Sequence, residues 1–355
     1  MSSPRKGFTI AELLTLLGVA APLLVVLLLH LRGPREASTS RQIKDATQIR
    51  GIHQGLVLFA QNNNDNYPLP GQLDKANTTL GKGSAKDDLG GVLSVLLWNG
   101  FFSPELAVSP LERSSLIKVH DTYALTNPPT AVQGLDGDQA LWDPGFRGSG
   151  AEKVAKGGMK AVGAFAEGEN VTAHNSYALM PFFGARGSMW SNTFEATEAA
   201  IGNRGPSYEV VGTEAAATYR LLDTGEPTKS HGFTSETGKG TSSVTLGMYG
   251  DRSTWRGNIA YNDNHTEFHD RADPENNPFT FSGLKNANER KRSDNLFVAE
   301  DDATVTPLPT QIGTVTVADK EQRNPLRTKN NWIKTWTVAG VADDGTTSAI
   351  TVVVD

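Results

Sequence analysis

Residues 1–31 read MSSPRKGFTIAELLTLLGVAAPLLVVLLLHL, a basic pair followed by a long apolar run. From Phe8 to Leu29 this run carries one charge, Glu12. As a helix it would extend about 33 Å, enough to span a bilayer core. A secretory signal usually has a shorter apolar region followed by a small-residue cleavage site, whereas this run ends in His30-Leu31-Arg32, so cleavage after it is not expected. Pro22 predicts a kinked span. Glu12 needs a partner, because a carboxylate in mid-membrane costs about 2.5–3.5 kcal/mol. Arg5 and Lys6 precede the span while Arg32, Arg35, Arg41 and Lys44 follow it, so charge counting alone puts the C-terminal side in the cytoplasm.

The chain has 355 residues, 38% of them hydrophobic, which is enough for one large domain or two ordinary ones. Its net charge of −6 has the wrong sign for a protein that coats nucleic-acid phosphates, and no nucleic-acid partner is expected. Cysteine is absent, which excludes thiol nucleophiles, thiolate metal sites and disulfides. The 36 glycines and 18 prolines favour a β-rich or mixed head over a helical bundle.

Arg5-Lys6-Gly7 followed by Phe8-Thr9-Ile10-Ala11-Glu12-Leu13-Leu14 resembles the class III leader of type IV pilins and the pseudopilins of type II secretion systems. The resemblance implies that prepilin peptidase cuts after Gly7 and methylates Phe8. Glu12 then becomes the fifth residue of the mature chain and meets the N-terminal amine of an adjacent subunit. A paired charge is far cheaper to bury than a lone one. The implied partners are prepilin peptidase, other pilin or pseudopilin subunits, an inner-membrane assembly platform and membrane lipid. The implied location is the bacterial inner membrane, single-pass with the head extracytoplasmic, then a periplasmic or surface filament. This overrides the charge count, since large domains translocate largely regardless of charge.

The expected fold is α+β: a pilin-like long N-terminal spine helix, its first half transmembrane, packed on an antiparallel β-sheet head with long loops and a C-terminal β extension. The expected parts are a leader (1–7), a transmembrane helix (8–31), an amphipathic spine helix (32–66), a globular head (67–270) and a β-rich extension (271–355). Within 35–62, Ile43, Ala46, Ile49, Ile52, Leu56, Phe59 and Ala60 fall near helical spacing, with Arg41, Lys44, Asp45, Gln48 and Gln54 elsewhere. Asn62 to Asn66 and Tyr67-Pro68 end that helix. Residues 71–90 read as a loop, and 89–99 as a short apolar helix capped by Asp87 or Asp88. Ser109-Pro110 stands where similar pseudopilin-like proteins often carry Cys-Pro. Asn175 to Leu179 reads as a strand and Thr193 to Ile201 as a helix candidate. From Ser243 onward, segments such as SVTLGMYGD, GNIAYND, HTEFHD, NLFVA, IGTVTVA, WIKTWTVAGV and TSAITVVV read as an antiparallel sheet. A hairpin with Asn264 in its turn is expected between GNIAYND and HTEFHD.

The constellation most suited to chemistry is Asp263, His265 and Glu267, continued by His269, which on a strand share one face about 6.6–7 Å apart. Two such residues can reach one calcium or zinc ion, with a further ligand from Asp251, Asp270 or Asp273; the alternative is a solvated hairpin face. No Gly-x-Ser-x-Gly elbow, His-Glu-x-x-His helix or Walker loop occurs, so no catalytic residue and no other cofactor is expected. The expected function is therefore a non-enzymatic structural subunit of a type IV pilus-like or type II secretion pseudopilus filament, with Gly7 and Phe8 for processing and Phe8 and Glu12 for assembly. The alternative is a membrane-anchored extracytoplasmic binding module or metal-dependent enzyme.

Overall fold

A computed structural model describes Ile10 and residues 39–83, 85–132, 139–150, 171–222, 239–250, 252–306, 308, 313–317 and 324–353. Contacts divide the chain into two units, Met1–Lys44 and Asp45–Asp355. Helix α1 (residues 39–61) stops in the asparagine run, where Asn64 and Asp65 take φ of 52° and 59°. These side chains bond nearby backbone and tolerate left-handed geometry. Asn63 Nδ2 donates to the Phe59 carbonyl at 2.7 Å, satisfying one of the helix's last acceptors.

Helix α2 (Pro70–Leu73) starts on proline, and α3 (Leu89–Trp98) starts on Asp88, whose carboxylate accepts from Gly91 N–H at 2.6 Å. The segment 71–90 expected to be a plain loop is pinned by Asp74, which is fully buried, pairs with Lys86 at 3.0 Å and accepts from the backbone of Thr78, Thr79 and Leu80. Burial pushes the Asp74 carboxyl up, but these hydrogen bonds outweigh it and hold it below its ordinary value. In α3, Gly90 allows direct backbone packing: a Cβ there would lie 2.5 Å from the Phe146 carbonyl and 2.8 Å from Gly148 N.

The central sheet is antiparallel in the order β1 (Tyr177–Leu179), β2 (Ala199–Asn203), β5 (Gly257–Tyr261), β6 (Thr266–His269). β2 and β5 are buried at every position, so both faces of the sheet's middle are covered. Ile49, Ile52, Leu56 and Phe59 of α1 share one core with Tyr177, Leu179, Ile201 and Ile259. A second sheet runs in the order β10 (Thr335–Val341), β11 (Thr347–Val353), β9 (Gly313–Thr316). Leu179 and Lys334 exchange backbone hydrogen bonds at 3.0 and 2.8 Å, and Trp332, Trp336, Ile350 and Val352 join the same core. Two hairpins complete the strands: β3 (Tyr208–Val211) with β4 (Thr218–Leu221), and β7 (Pro278–Thr280) with β8 (Lys291–Ser293).

The expected architecture is corrected. In place of a long, half-transmembrane spine helix laid on one sheet, the described residues form α1 over 39–61, two helices of four and ten residues, and mostly β structure divided over four sheets. Among the described residues no helix is long and apolar enough to cross a membrane. In α1, Arg41, Lys44 and Arg50 are exposed and Asp45 and His53 are interior, a pattern fitted to a protein surface and not to lipid. On that finding the transmembrane assignment and the single-pass inner-membrane location are not upheld; residues 8–31, apart from Ile10, lie outside the described residues.

Smaller differences have local causes. The helix candidate at Thr193 to Ile201 is instead a loop running into β2, because its alanines fill a buried sheet position and Phe194 takes φ of 59°. Within 243–250, expected to begin the sheet, the chain forms a 3-10 turn, Val244–Gly247, capped by the Ser243 hydroxyl on Thr245 N–H. The run from Asn295 to Ala299 turns where Asn295 Oδ1 accepts from Phe297 N–H at 2.9 Å.

Candidate functional site

The apolar stripe of α1 at Ile49, Ile52, Leu56 and Phe59 continues, at the same spacing, through Asp45 and Gln48. Asp45 is fully buried and Gln48 nearly so. Asp45 Oδ1 accepts from Ser109 Oγ at 2.5 Å, Asn203 Nδ2 at 3.3 Å and the Tyr177 hydroxyl at 3.4 Å. Its Oδ2 accepts from the Tyr249 hydroxyl at 2.7 Å and Asn258 Nδ2 at 2.8 Å. Burial, then the Asp45 charge, pushes both tyrosine hydroxyls far up, so they keep their protons and donate. Neutral donors from β1, β2, β5 and two loops thus form a socket for a helix carboxylate. Ser109, the departure from Cys-Pro, supplies the shortest of these bonds.

One and two turns further on, Gln48 Nε2 donates to the Glu105 and Val108 carbonyls at 3.2 and 3.4 Å, and His53 Nδ1 meets Asn264 Oδ1 at 3.0 Å. Burial holds the His53 imidazole below its ordinary pKa, so it enters the core neutral. Asn262 accepts from the Tyr67 hydroxyl at 2.8 Å and donates to Thr193 Oγ1 and Glu198 Oε2 at 3.0 and 2.9 Å. Polar bonds at three levels therefore fix both the rotation and the axial position of residues 45–61 in the head. The sequence reading missed this set, although the spacing 45, 49, 52, 56, 59 carries the signal.

The structure brings Asp263 and His265 together on the hairpin turn, with Oδ1 and Nδ1 at 2.5 Å, and Asn264 takes the left-handed φ of 68° expected of it. Glu267 accepts from Asn276 Nδ2 at 2.5 Å, and His269 turns inward to the Tyr261 hydroxyl at 2.7 Å. Among the described residues no group of three or more His, Asp or Glu side chains is placed to hold a metal ion. Gly7, Phe8 and Glu12 lie outside the described residues.

A second buried polar group centres on Arg186, fully enclosed in the turn Gly184–Met189. Its guanidinium donates to the Pro325 carbonyl, to Thr328 Oγ1 at 2.9 Å and to the Asn330 carbonyl at 2.8 Å, and lies 5.3 Å from the Trp332 ring centre. Burial pulls it down to about 10, and Asp302, Asp294 and Glu300 oppose that, so it stays charged near neutrality. Asp294 and Glu300 are also fully buried. Asp294 Oδ2 accepts from Asn331 N–H at 2.6 Å, and Glu300 Oε1 accepts from the Tyr219 hydroxyl. Asp294 Oδ1 and Glu300 Oε2 have no hydrogen-bond partner among the described residues. Burial pushes Asp294 up to about 7 and Glu300 well above its ordinary value, with mutual repulsion adding to the Glu300 shift. Tyr219 also walls an open cleft of about 680 Å³, lined with Tyr208, Arg220, Arg271, Asp270 and Asp273.

The acid pair gives a signed pH dependence. A carboxyl with a raised folded pKa keeps a proton that the unfolded chain releases near pH 4, so the stability it contributes is lost as pH rises from about 4 through about 7. The buried His53, His174 and His269, held low by burial, act oppositely and cost stability as pH falls through about 6.5. Asp294→Asn keeps an acceptor for Asn331 and removes only the acidic contribution. Relative to the parent protein it should gain on the order of 2 kcal/mol between pH 5 and pH 8 in urea unfolding. A difference independent of pH would show that Asp294 does not titrate in this range.

No family model, no curated protein and no solved structure matches this chain. The comparisons thus lend no support to the pilin, secretion and protein-transport labels that the leader suggested.

Proposed function

We propose that the chain is a structural, non-enzymatic subunit of a type IV pilus-like or type II secretion pseudopilus filament, cut by prepilin peptidase after Gly7 and assembled through its N-terminal helix. The observation that carries it is Arg5-Lys6-Gly7-Phe8 with Glu12 four residues beyond Phe8, a pattern that a mere apolar anchor does not require. In this reading Phe8 supplies the amine and Glu12 the charge that meets it on a neighbouring subunit. The Asp45, Gln48 and His53 bonds support it mechanically, because load entering through residues 45–61 passes to the head through directional contacts at three levels.

Mass spectrometry of protein from cells making the full chain tests the first step. A chain beginning at N-methylated Phe8 is the expected result, and a chain beginning at Met1 or beyond Leu31 overturns the proposal. Glu12→Ala should leave processing and head stability unchanged while reducing subunit-to-subunit crosslinks at least tenfold. Unchanged crosslinks would remove Glu12 from assembly. A second reading, a ligand-binding module, is favoured by the cleft beside Tyr208 and Tyr219. Saturable binding of a small molecule that Asp273→Ala abolishes, with no filament formed, would select it.

A further inference from the structure

Phe194 is 69% exposed and has φ of 59°. A bulky L-residue in that region is strained, and such a conformation persists only where its surroundings impose it. Here they do. Thr193 Oγ1 donates to Glu198 Oε2 at 2.6 Å and accepts from Asn262 Nδ2 at 3.0 Å, while Asn192 N–H donates to the Asp65 carbonyl at 2.8 Å. Three segments meet at this point: the end of α1, the loop before β2 and the turn between β5 and β6. They contribute four left-handed non-glycine residues, Asn64, Asp65, Phe194 and Asn264. None of the three carries Lys or Arg over 51–74, 187–203 or 257–270, and Asp65, Glu195 and Asp263 are exposed around Phe194. An aromatic ring on a strained backbone is thus held out in water inside an acidic rim.

The complementary feature stands at the start of α1. Arg41 and Lys44, three positions apart on one helical stripe, are exposed, and Ile43 on its flank is 62% exposed. We infer that Phe194 and its acidic rim dock on the Arg41, Ile43 and Lys44 strip of a second copy of the chain. The match is double, apolar to apolar at the centre and acid to base around it. Because two different patches meet, the contact is heterologous and continues from copy to copy instead of closing as a twofold dimer does. It rests on the filament reading, for which it supplies a lateral contact separate from Glu12.

The natural absence of cysteine makes the test direct. In cells making the full chain, Phe194→Cys with Ile43→Cys should give, on oxidation, a ladder of dimers, trimers and higher species. The two single variants co-expressed should give a mixed dimer and nothing larger. Lys44→Glu should reduce that mixed dimer several-fold, and Glu195→Lys in the other copy should restore it. Phe194→Gly, which relieves the left-handed strain, should melt at the same or a higher temperature yet lose assembly. Monomers alone from the double variant, or a lower melting temperature with normal assembly for Phe194→Gly, would overturn the inference. If N-terminal processing and filaments are present without the ladder, only this contact fails. If the ladder forms on a chain that still begins at Met1, the filament reading fails and the contact stands.

Discussion

Arg186→Met is expected to destabilise the protein by about 3–5 kcal/mol, the range for removing one partner of a buried charge group. Methionine approximates the length and apolar stem of arginine, so packing against Trp332 is largely kept and the loss is chiefly electrostatic. Three acceptors at Pro325, Thr328 and Asn330 lose their donor together. Asp294 and Glu300, buried and already short of partners, lose the cation that offsets them. A double-mutant cycle separates these contributions. Arg186→Met should cost less in an Asp294→Asn background, because one of the charges it leaves uncompensated is gone. Urea unfolding midpoints of the four proteins at pH 7.5 provide the measurement, and strict additivity would show that Arg186 acts through its bonds to Pro325, Thr328 and Asn330 alone.

Asp45→Ala should cost a similar amount, about 4 kcal/mol, for a different reason. The carboxylate serves donors from Ser109, Tyr177, Asn203, Tyr249 and Asn258, and truncation leaves these buried donors without their shared acceptor, at about 1–3 kcal/mol for each one that finds no substitute. Asp45→Asn keeps one acceptor oxygen but brings an N–H group toward other donors, so about half that loss is expected. Arg50→Ala, one exposed position on the same helix, is the control and should fall within about 0.5 kcal/mol of the parent. If Asp45→Ala were no worse than Arg50→Ala, the socket would not be holding the helix.

The two groups differ in how they carry charge through the core. Around Asp45 all donors are neutral, and the ion is held by many hydrogen bonds. Around Arg186 opposite charges are present but unequal, so protons on Asp294 or Glu300 complete the balance. The first arrangement is suited to permanent docking of a helix. The second makes stability a function of pH.

Local pattern was enough for several elements. The Asp87-Asp88 pair before an apolar run announced the start of α3, of which Asp88 is the cap, Asn264 between two alternating segments announced the turn joining β5 to β6, and the asparagine run announced the end of α1. Each depends on chemistry within a few residues of the chain, where propensity, capping and turn geometry act. The leader pattern around Gly7, Phe8 and Glu12 is likewise a property of the sequence and carries the proposed function. What the linear text did not contain was which polar residues go inside. Asp45 lies on an apolar stripe, but its burial depends on donors 64 to 213 positions away, and Arg186 depends on carbonyls some 140 positions away. Ala199 to Ile201 suit a helix by composition and become a strand because β1 and β5 flank them. Short-range preferences amount to a few tenths of a kcal/mol per residue, whereas satisfying a buried charge is worth several, so the long-range partners set the outcome wherever the two disagree.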